Sequence, residues 1–485
     1  MFARFLFEKS SAEYSDKIIL IDTDNLESKT HYCDYFAAQG FQIIRYENDL
    51  LFRAEHDDAI NYNGKYAVVV VGNVYIPYDI QRRFRFFTVS IADLFPKLNT
   101  SLLRDCKCLN YDLLAMAYQK NFSDLKSRQL TEQFLQTKVF GKKNIEEYLQ
   151  IQIDSLVASV AVAKTYRDWF AIANLKAEID TMATKYDVPV DTDNIDDNFI
   201  EWVLAEYGKL SSKMDRETPV LVSRAMEYMH DCSEKFVIIV MDGMSEFDWK
   251  VLSTTFDRMV YCKADAFAMI PTVTSISRQC LLSNKYPSQL MEPWKQSKEK
   301  AEFTKCALSM GYTESQIGYE RGYDADFGPI VKCGAVIINE IDDIVHGQSQ
   351  GRLGMFNDVS VIAKQDKLGK LVRRLLQQGF DVYISADHGN TPCVGDGIVR
   401  TGVEAETKSR RMLVLKDYAD KQEKIERYKM IDYPKYYLDK KFEYIICPAG
   451  HSLDNKGQDV MSHGGITVDE CIVPFIIIKA EDNNG

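Results

Sequence analysis

The chain has 485 residues, more than a single core supports, so two or three domains are the starting expectation. A hydrophobic content of 46% and a charged content of 27% are those of a globular protein. The net charge of -12 excludes passive adhesion to nucleic acid through a global positive field. It does not exclude a phosphate substrate, because bound cations reverse the sign locally.

Met1 to Lys9 mixes Arg4, Glu8 and Lys9 with a short apolar run, too short for a signal peptide. No later stretch approaches the ~18 apolar residues of a membrane span, so a cytoplasmic protein with no membrane partner is expected. Residues 1–100 have the rhythm of a small doubly wound α/β domain. Strands are predicted at 17–21, Gln42–Arg45 and Tyr66–Val71, and a helix at 28–39 that ends on Gly40. Asp22 and Asp24 follow the first strand, as in receiver domains. The third strand, however, runs into Gly72 and Asn73, where a receiver has its phosphate-accepting Asp. The acidic pair therefore reads as a solvated loop or helix cap in a receiver-like domain without a phosphorylation switch. Arg82, Arg83 and Arg85 alternate with Phe84 and Phe86. This pattern suits an edge strand with outward charges better than a nucleic-acid patch.

Residues 101–230 are poor in glycine, and 145–186 carries apolar residues at helical spacing, so a helical domain is predicted. Eleven cysteines contain no CxxC, and only Cys106 and Cys108 lie close together. They read as reduced thiols, most of them small buried apolar residues.

Residues 231–485 return to α/β. Strands are predicted at Phe236–Met241, 335–338, 382–385, 412–414, 444–447 and Ile472–Ile478, with a helix over 359–378. Continuous β-branched runs between helices imply a mostly parallel sheet covered on both faces. In such sheets ligands bind beyond the carboxyl ends of the strands. Phe236–Met241 leads into Asp242 and Gly243. The run at 335–338 leads to Asp342, with His346 four residues later. The run at 382–385 leads to Asp387, His388 and Gly389. Ser462, His463, Gly464 and Gly465 precede the last strand. Each residue alone has a plain explanation, Asp242 as a helix cap or His388 as a turn histidine. Their recurrence at strand ends does not. Imidazole and carboxylate without thiolate are natural ligands of Zn²⁺ or Mn²⁺. Asp342 and His346 share one side of a turn if that segment is helical. A site for two metals needs about six ligands, and these residues supply Asp242, Asp342, His346, Asp387, His388 and His463.

The nucleophile candidates lie in residues 270–278, where Pro271 and four hydroxyl residues precede a helical run. A hydroxyl at a helix N-terminus meets free N–H groups and a dipole that favour phosphate. The alternative is an ordinary cap. The residues alone leave Thr272, Thr274, Ser275 and Ser277 open. Lys408, Arg410 and Arg411 are within reach of a substrate after a flexible segment, although a solvated charge run is the commoner outcome. His451 lies close to His463 in sequence and is a lesser candidate for supporting the ligands.

The whole set resembles the alkaline phosphatase superfamily and, within it, the PglZ domain. The matching stretches are VIIVMDGMSEFDW (237–249), IPTVTSISRQCLLSNKYP (270–287), INEIDDIVHG (338–347), YISADHGN (383–390) and SHGGITVDECIVPFI (462–476). The resemblance implies an alkaline-phosphatase-like, mostly parallel sheet sandwiched by helices over 231–485. It implies two divalent metal ions, Zn²⁺ with Mn²⁺ or Mg²⁺ as alternatives. One would be held by Asp242, Thr274, Asp387 and His388, the other by Asp342, His346 and His463. It selects Thr274 as the nucleophile. Arg278 stands where related phosphodiesterases carry a His, and as a catalytic residue it would clamp a phosphate oxygen. The implied function is a phosphohydrolase, a phosphodiesterase or phosphatase acting on nucleotide or nucleic-acid phosphoesters. Its setting would be BREX-type antiphage defence or signalling, with other defence proteins as partners. The rival reading is a metal-stabilised scaffold of a defence complex. A phosphate mutase or transferase would need a sugar-phosphate site that no motif here supplies.

Overall fold

The structure is a computed structural model that describes residues 1–480 apart from 73, 107–108, 122, 257–258, 399–408 and 417–420. Asn73, Cys108 and Lys408 fall outside the described residues. The chain divides into two compact units, Met1–Ile151 and Gln152–Gly485. The division falls within the helix Lys142–Val162, so residues 101–230, read above as a helical domain, are shared between the units.

The first unit is built on a four-stranded parallel sheet of β1 (Lys17–Asp22), β2 (Gln42–Arg45), β3 (Tyr66–Val71) and β4 (Arg85–Val89). Ile18, Ile19 and Leu20 of β1 are buried on both faces, as a central strand between two layers requires. The spatial order is β2-β3-β1-β4. A receiver-like order would place β1 between β2 and β3, so that arrangement is not the one formed. Apolar runs determine which segments are strands, but not which strands lie side by side. The acidic pair is a cap and an ion pair. Asp22 is fully buried and accepts the backbone N–H groups of Leu26 (2.8 Å) and Glu27 (2.7 Å). Asp24 pairs with Arg104 at 2.8 Å and accepts the N–H of Ile91. The Arg–Phe alternation ends in β4, an edge strand with Arg85 and Phe86 exposed. The helix predicted at 28–39 is interrupted at His31, whose φ of 46° ends Glu27–Thr30 before Tyr32–Ala38 begins.

The second unit holds a seven-stranded sheet of β5 (Val220–Leu221), β6 (Phe236–Met241), β7 (Cys262–Phe267), β8 (Ile317–Arg321), β9 (Cys333–Ile338), β10 (Asp381–Ser385) and β17 (Ile472–Ile478). The order is β5-β7-β17-β10-β6-β9-β8. Every pairing is parallel except those of β17, which runs antiparallel to both β7 and β10. All six residues of β6 and of β9 are buried, so the centre of the sheet is covered on both faces. Each Val or Ile buried in this way contributes about 1.5–3 kcal/mol relative to exposure. The helix Lys367–Gln377 packs its buried stripe of Leu368, Leu371, Val372, Leu375 and Leu376 at helical spacing. It is separate from Gly351–Gln365, because Asp366 between them has a φ of 50°.

Two small sheets complete the unit. Of β11 (Thr391–Gly395), β12 (Met412–Leu415), β13 (Ile431–Asp432), β14 (Glu443–Ile446), β15 (His451–Ser452) and β16 (Asp459–Ser462), three form the order β15-β11-β16 and three β12-β14-β13. The runs at 412–414 and 444–447, expected in the main parallel sheet, therefore pair antiparallel in a sheet of their own. A short buried run has no period that distinguishes the two cases. No helix among the described residues is long and apolar enough to cross a membrane.

Candidate metal centre

Strand direction assembles the site. β6, β7, β9 and β10 run parallel to one another, so the segments that leave them share the carboxyl edge of the sheet. β17 is antiparallel, so its amino end lies at that same edge: Phe475 pairs with Ser385, at the end of β10. A motif preceding β17 thus joins motifs that follow the other strands.

The capping explanation of Asp242 fails locally. The next helix, Glu246–Leu252, is capped by Ser245 in a capping box with Asp248, which leaves Asp242 free. Asp242 is 2% exposed; its Oδ2 accepts Arg278 Nη1 at 2.7 Å, and its Oδ1 faces Thr274 Oγ1 at 3.3 Å. The helix Thr274–Leu281 has Val273 at its N-cap and no side-chain cap. Thr274 therefore does not cap; its Oγ1 also lies 3.1 Å from His388 Nε2. Two of the other hydroxyl candidates are committed elsewhere. Thr272 Oγ1 donates to the Gly465 carbonyl and accepts the Gly464 N–H, while Ser277 accepts the Met269 N–H and donates to the Asp387 carbonyl. Thr274 and Ser275 are the half-buried members of the set.

Asp387 Oδ1 accepts the N–H groups of Gly243 (3.2 Å) and His388 (3.1 Å). His388 Nδ1 lies 3.0 Å from the Gly389 carbonyl, so Nδ1 carries the proton and the Nε2 lone pair faces the site. His463 Nδ1 lies 3.0 Å from the Thr272 carbonyl, which leaves its Nε2 facing inward in the same way. That Nε2 is 3.5 Å from Asp342 Oδ1, and Asp342 Oδ2 is 3.1 Å from His346 Nε2. The rings of His388 and His463 stack at 4.1 Å. Two groups of ligand atoms result, each within 4.8 Å: Asp242, Asp387 and His388, and Asp342, His388 and His463. His346 stands outside both groups, joined to the second through Asp342, and its side chain is 42% exposed. All seven expected ligand residues are thus linked by these contacts.

The electrostatics fit a cation. Burial, and then the adjacent Asp242 carboxylate, push the Asp387 carboxyl well above its usual range, although Arg278 opposes them. Burial, aided by His388, lowers His463 to about 4, so its imidazole is neutral at pH 7 and offers a lone pair. Burial opposes the charge of Asp342, but the hydrogen bond from His346 and the imidazoles of His463 and His388 outweigh it and hold its carboxyl low. Asp387 Oδ2, Asp342 Oδ1 and His463 Nε2 are buried without a hydrogen-bond partner in the protein. A buried orphan of this kind costs about 1–3 kcal/mol. Asp387 belongs to the first group and Asp342 and His463 to the second, and unpartnered imidazole or carboxylate atoms in each fit divalent metal.

Arg278 departs from expectation. It is fully buried, with Nη1 on Asp242 and Nε on Glu299 at 2.7 Å each. Glu299 also receives the Tyr319 hydroxyl at 2.6 Å and Arg321. Arg278 is therefore placed to position Asp242, not to stand open to a substrate. Arg411 is likewise buried, on Glu470, while Arg410 is half-buried with Asp454 at 3.9 Å. His451 pairs with Asp396 at 2.9 Å.

A family model of the BREX system PglZ alkaline phosphatase-like domain matches residues 222–478, just over half of the chain. The chain belongs to the PglZ family. Its PglZ domain makes it a phosphoric ester hydrolase of the alkaline phosphatase superfamily. Among solved structures, murine ectonucleotide pyrophosphatase/phosphodiesterase 5 in an inactive form with AMP is similar at 12% identity and TM-score 0.37, covering 50% of this chain and 88% of that one. The human enzyme of the same name gives 14%, 0.37, 51% and 89%. Phosphonoacetate hydrolase from Sinorhizobium meliloti with phosphonoformate gives 12%, 0.34, 50% and 90%. No curated protein matches the sequence.

Sequence reasoning missed the residues that hold the candidate ligands in place. Asn390 donates to the Gly243 carbonyl at 2.8 Å and to Asp248 at 2.6 Å, tying the loop after β10 to the loop after β6. Glu470 accepts the Gly465 N–H at 2.8 Å and is held by Arg411, which fixes the turn after His463. Both lie inside the quoted motifs and could have been found there. Glu299 lies in an unremarkable helix, and only the fold brings it to Arg278.

Proposed function

We propose that the PglZ domain is a phosphohydrolase that requires two divalent metal ions, uses Thr274 as its nucleophile and acts on nucleotide or nucleic-acid phosphoesters in BREX-type defence. One metal would be held by Asp242, Thr274, Asp387 and His388, the other by Asp342, His346 and His463. Zn²⁺ suits this donor set, with Mn²⁺ or Mg²⁺ as alternatives. Bound there, the ions supply Lewis acidity to a phosphoryl oxygen and make a hydroxyl a better nucleophile.

The chain's own residues supply the rest. The Thr274 hydroxyl is held between Asp242 Oδ1 and His388 Nε2, which orient its proton away from an incoming phosphorus. Attack by Oγ1 expels the alcohol and leaves a phosphothreonine, which water cleaves in a second displacement. Arg278 and Glu299 hold Asp242 against movement, and the Nδ1 bonds of His388 and His463 fix both tautomers.

The observation that carries this reading is the position of Thr274 Oγ1. It is a hydroxyl that caps nothing, at a helix start, within 3.3 Å of two ligand residues. The test is Thr274→Ala in metal-loaded protein against a panel of phosphomonoesters and diesters. Turnover should fall by at least about a thousandfold while metal content and melting temperature stay within error. Full activity in Thr274→Ala would move the nucleophile to Ser275 or water. Wild type inert on every ester, with metal bound and a defence-protein partner retained, would favour the scaffold.

A further inference from the structure

The first unit contains a cavity of about 700 Å³ bordered by the helix Tyr111–Gln119 and the first turns of Lys142–Val162. Its lining includes four lysines, Lys120, Lys138, Lys142 and Lys143, and one carboxylate, Glu147. Four positive charges less one negative give the lining a net +3, within a chain of net charge -12. Glu147 is already engaged by Lys120 at 2.5 Å. Among the described residues, no carboxylate forms an ion pair with Lys138 or Lys143. Like charges around one concavity repel, and an anion in it is drawn by all of them together.

The cavity is pinned by its backbone. Leu135–Val139 is wound as a π-helix, with the Phe140 N–H on the Leu135 carbonyl at 2.8 Å. Such turns recur at functional sites. Gly141 follows, where any Cβ would collide with the Thr137 carbonyl oxygen. Asn144 is 8% exposed, and its amide donates to the carbonyls of Leu113 (3.1 Å) and Val139 (2.9 Å). One buried side chain thus joins the three segments that form the walls. The volume is that of a small-molecule site.

We propose that this cavity binds a di- or triphosphate group, carried by a nucleotide or present as inorganic polyphosphate. The site belongs to the first unit alone and is independent of the hydrolase reading. The test titrates full-length, EDTA-treated protein with ATP, with tripolyphosphate and with a single-stranded oligonucleotide, following heat at two salt concentrations. The expected result is saturable binding of ATP or tripolyphosphate that weakens at higher salt. In Lys138→Glu/Lys143→Glu it should weaken at least about thirtyfold, with the melting temperature unchanged because both residues are on the rim. Lys138→Ala/Lys143→Ala is the second variant should the reversal of charge perturb folding, with a loss of about tenfold. Binding of ATP alone assigns the nucleotide, and equal binding of both assigns the phosphate chain. Three results would overturn the proposal: no saturable binding of either polyphosphate, binding unchanged in both lysine variants, or binding confined to the oligonucleotide. Binding that is lost in Asp342→Ala but not in the lysine variants would place the ligand at the metal centre and would equally overturn it.

Discussion

At the scale of single residues, the site is defined by what its side chains lack. Asp242 and Asp387 are both buried, and Arg278 is the cation that faces them, at 2.7 and 3.8 Å. Asp387→Asn removes a carboxyl whose charged form both burial and Asp242 oppose. The metal-free protein should then gain stability of about 1 kcal/mol, a rise in melting temperature of a few degrees. The added stability that metal confers on wild type should shrink in the same variant. Differential scanning calorimetry with and without metal checks both signs, and a variant destabilised in the metal-free state would count against the electrostatic account. Glu299→Ala should cost about 1–3 kcal/mol in denaturant unfolding, because it leaves the buried Nε–H of Arg278 without an acceptor while Asp242 still faces its Nη1. That these Asp and His side chains come together was legible in the sequence, because they recur at strand ends and Asp342 and His346 lie one turn apart. The role of Arg278 was not. A guanidinium one turn from a nucleophile reads as an anion clamp until Glu299, distant in sequence, is seen to hold it.

At the scale of elements, the strands and their order differ in legibility. The β-branched runs at Phe236–Met241 and Ile472–Ile478 predicted β6 and β17 to the residue. The short strands β5, β8 and β13 gave no such run, and β7, with Lys263 and Asp265 in it, reads as polar. The predicted helix at 145–186 contains a break at Ala163 to Thr165, where Thr165 and Asp168 form a capping box for Tyr166–Lys185. One loop has little freedom of substitution. A Cβ on Gly389 would collide with the Asp469 carbonyl, on the segment that leads into β17. Gly389→Ala should therefore displace the His388 loop or the turn before β17. Metal affinity should fall at least about tenfold, by competition with a chelator, even where the fold survives. An unchanged affinity would mean that the turn yields without moving His388.

At the scale of the whole molecule, the family match and the compact body have different limits. The match begins at residue 222, whereas the second unit begins at Gln152. The extra segment is built into the hydrolase body. Lys176, fully buried, reaches Asp180 at 2.9 Å, Asp193 at 3.0 Å and Asp469 at 2.8 Å. Arg352 closes the same network on Asp193 and Asp469. The Tyr207 hydroxyl donates to the Ala268 carbonyl at 2.7 Å, and Trp202 stacks on Phe267 of β7 at 5.5 Å. A chain of residues 152–485 should unfold in one cooperative thermal transition. One of residues 222–485, which lacks Lys176, Asp180 and Asp193 of that network and the Tyr207 and Trp202 contacts on the sheet, should show no such transition by circular dichroism. Helical periodicity marked these residues as helix correctly but could not show that they lie against the sheet, since a helix has the same period wherever it packs.

The reversed direction of β17 also has a consequence in time. During synthesis the segments bearing Asp242, Thr274, Asp342 and Asp387 leave the ribosome before His463, and β17 pairs with β7 some two hundred residues behind it. Until that late strand inserts between β7 and β10, the sheet is split and the second ligand group lacks one of its three members. Contacts this distant in sequence form slowly. Completion of the proposed two-metal centre would thus be a step of maturation that follows translation of β17, and a nascent chain arrested before His463 carries the first group of side chains without the full second group.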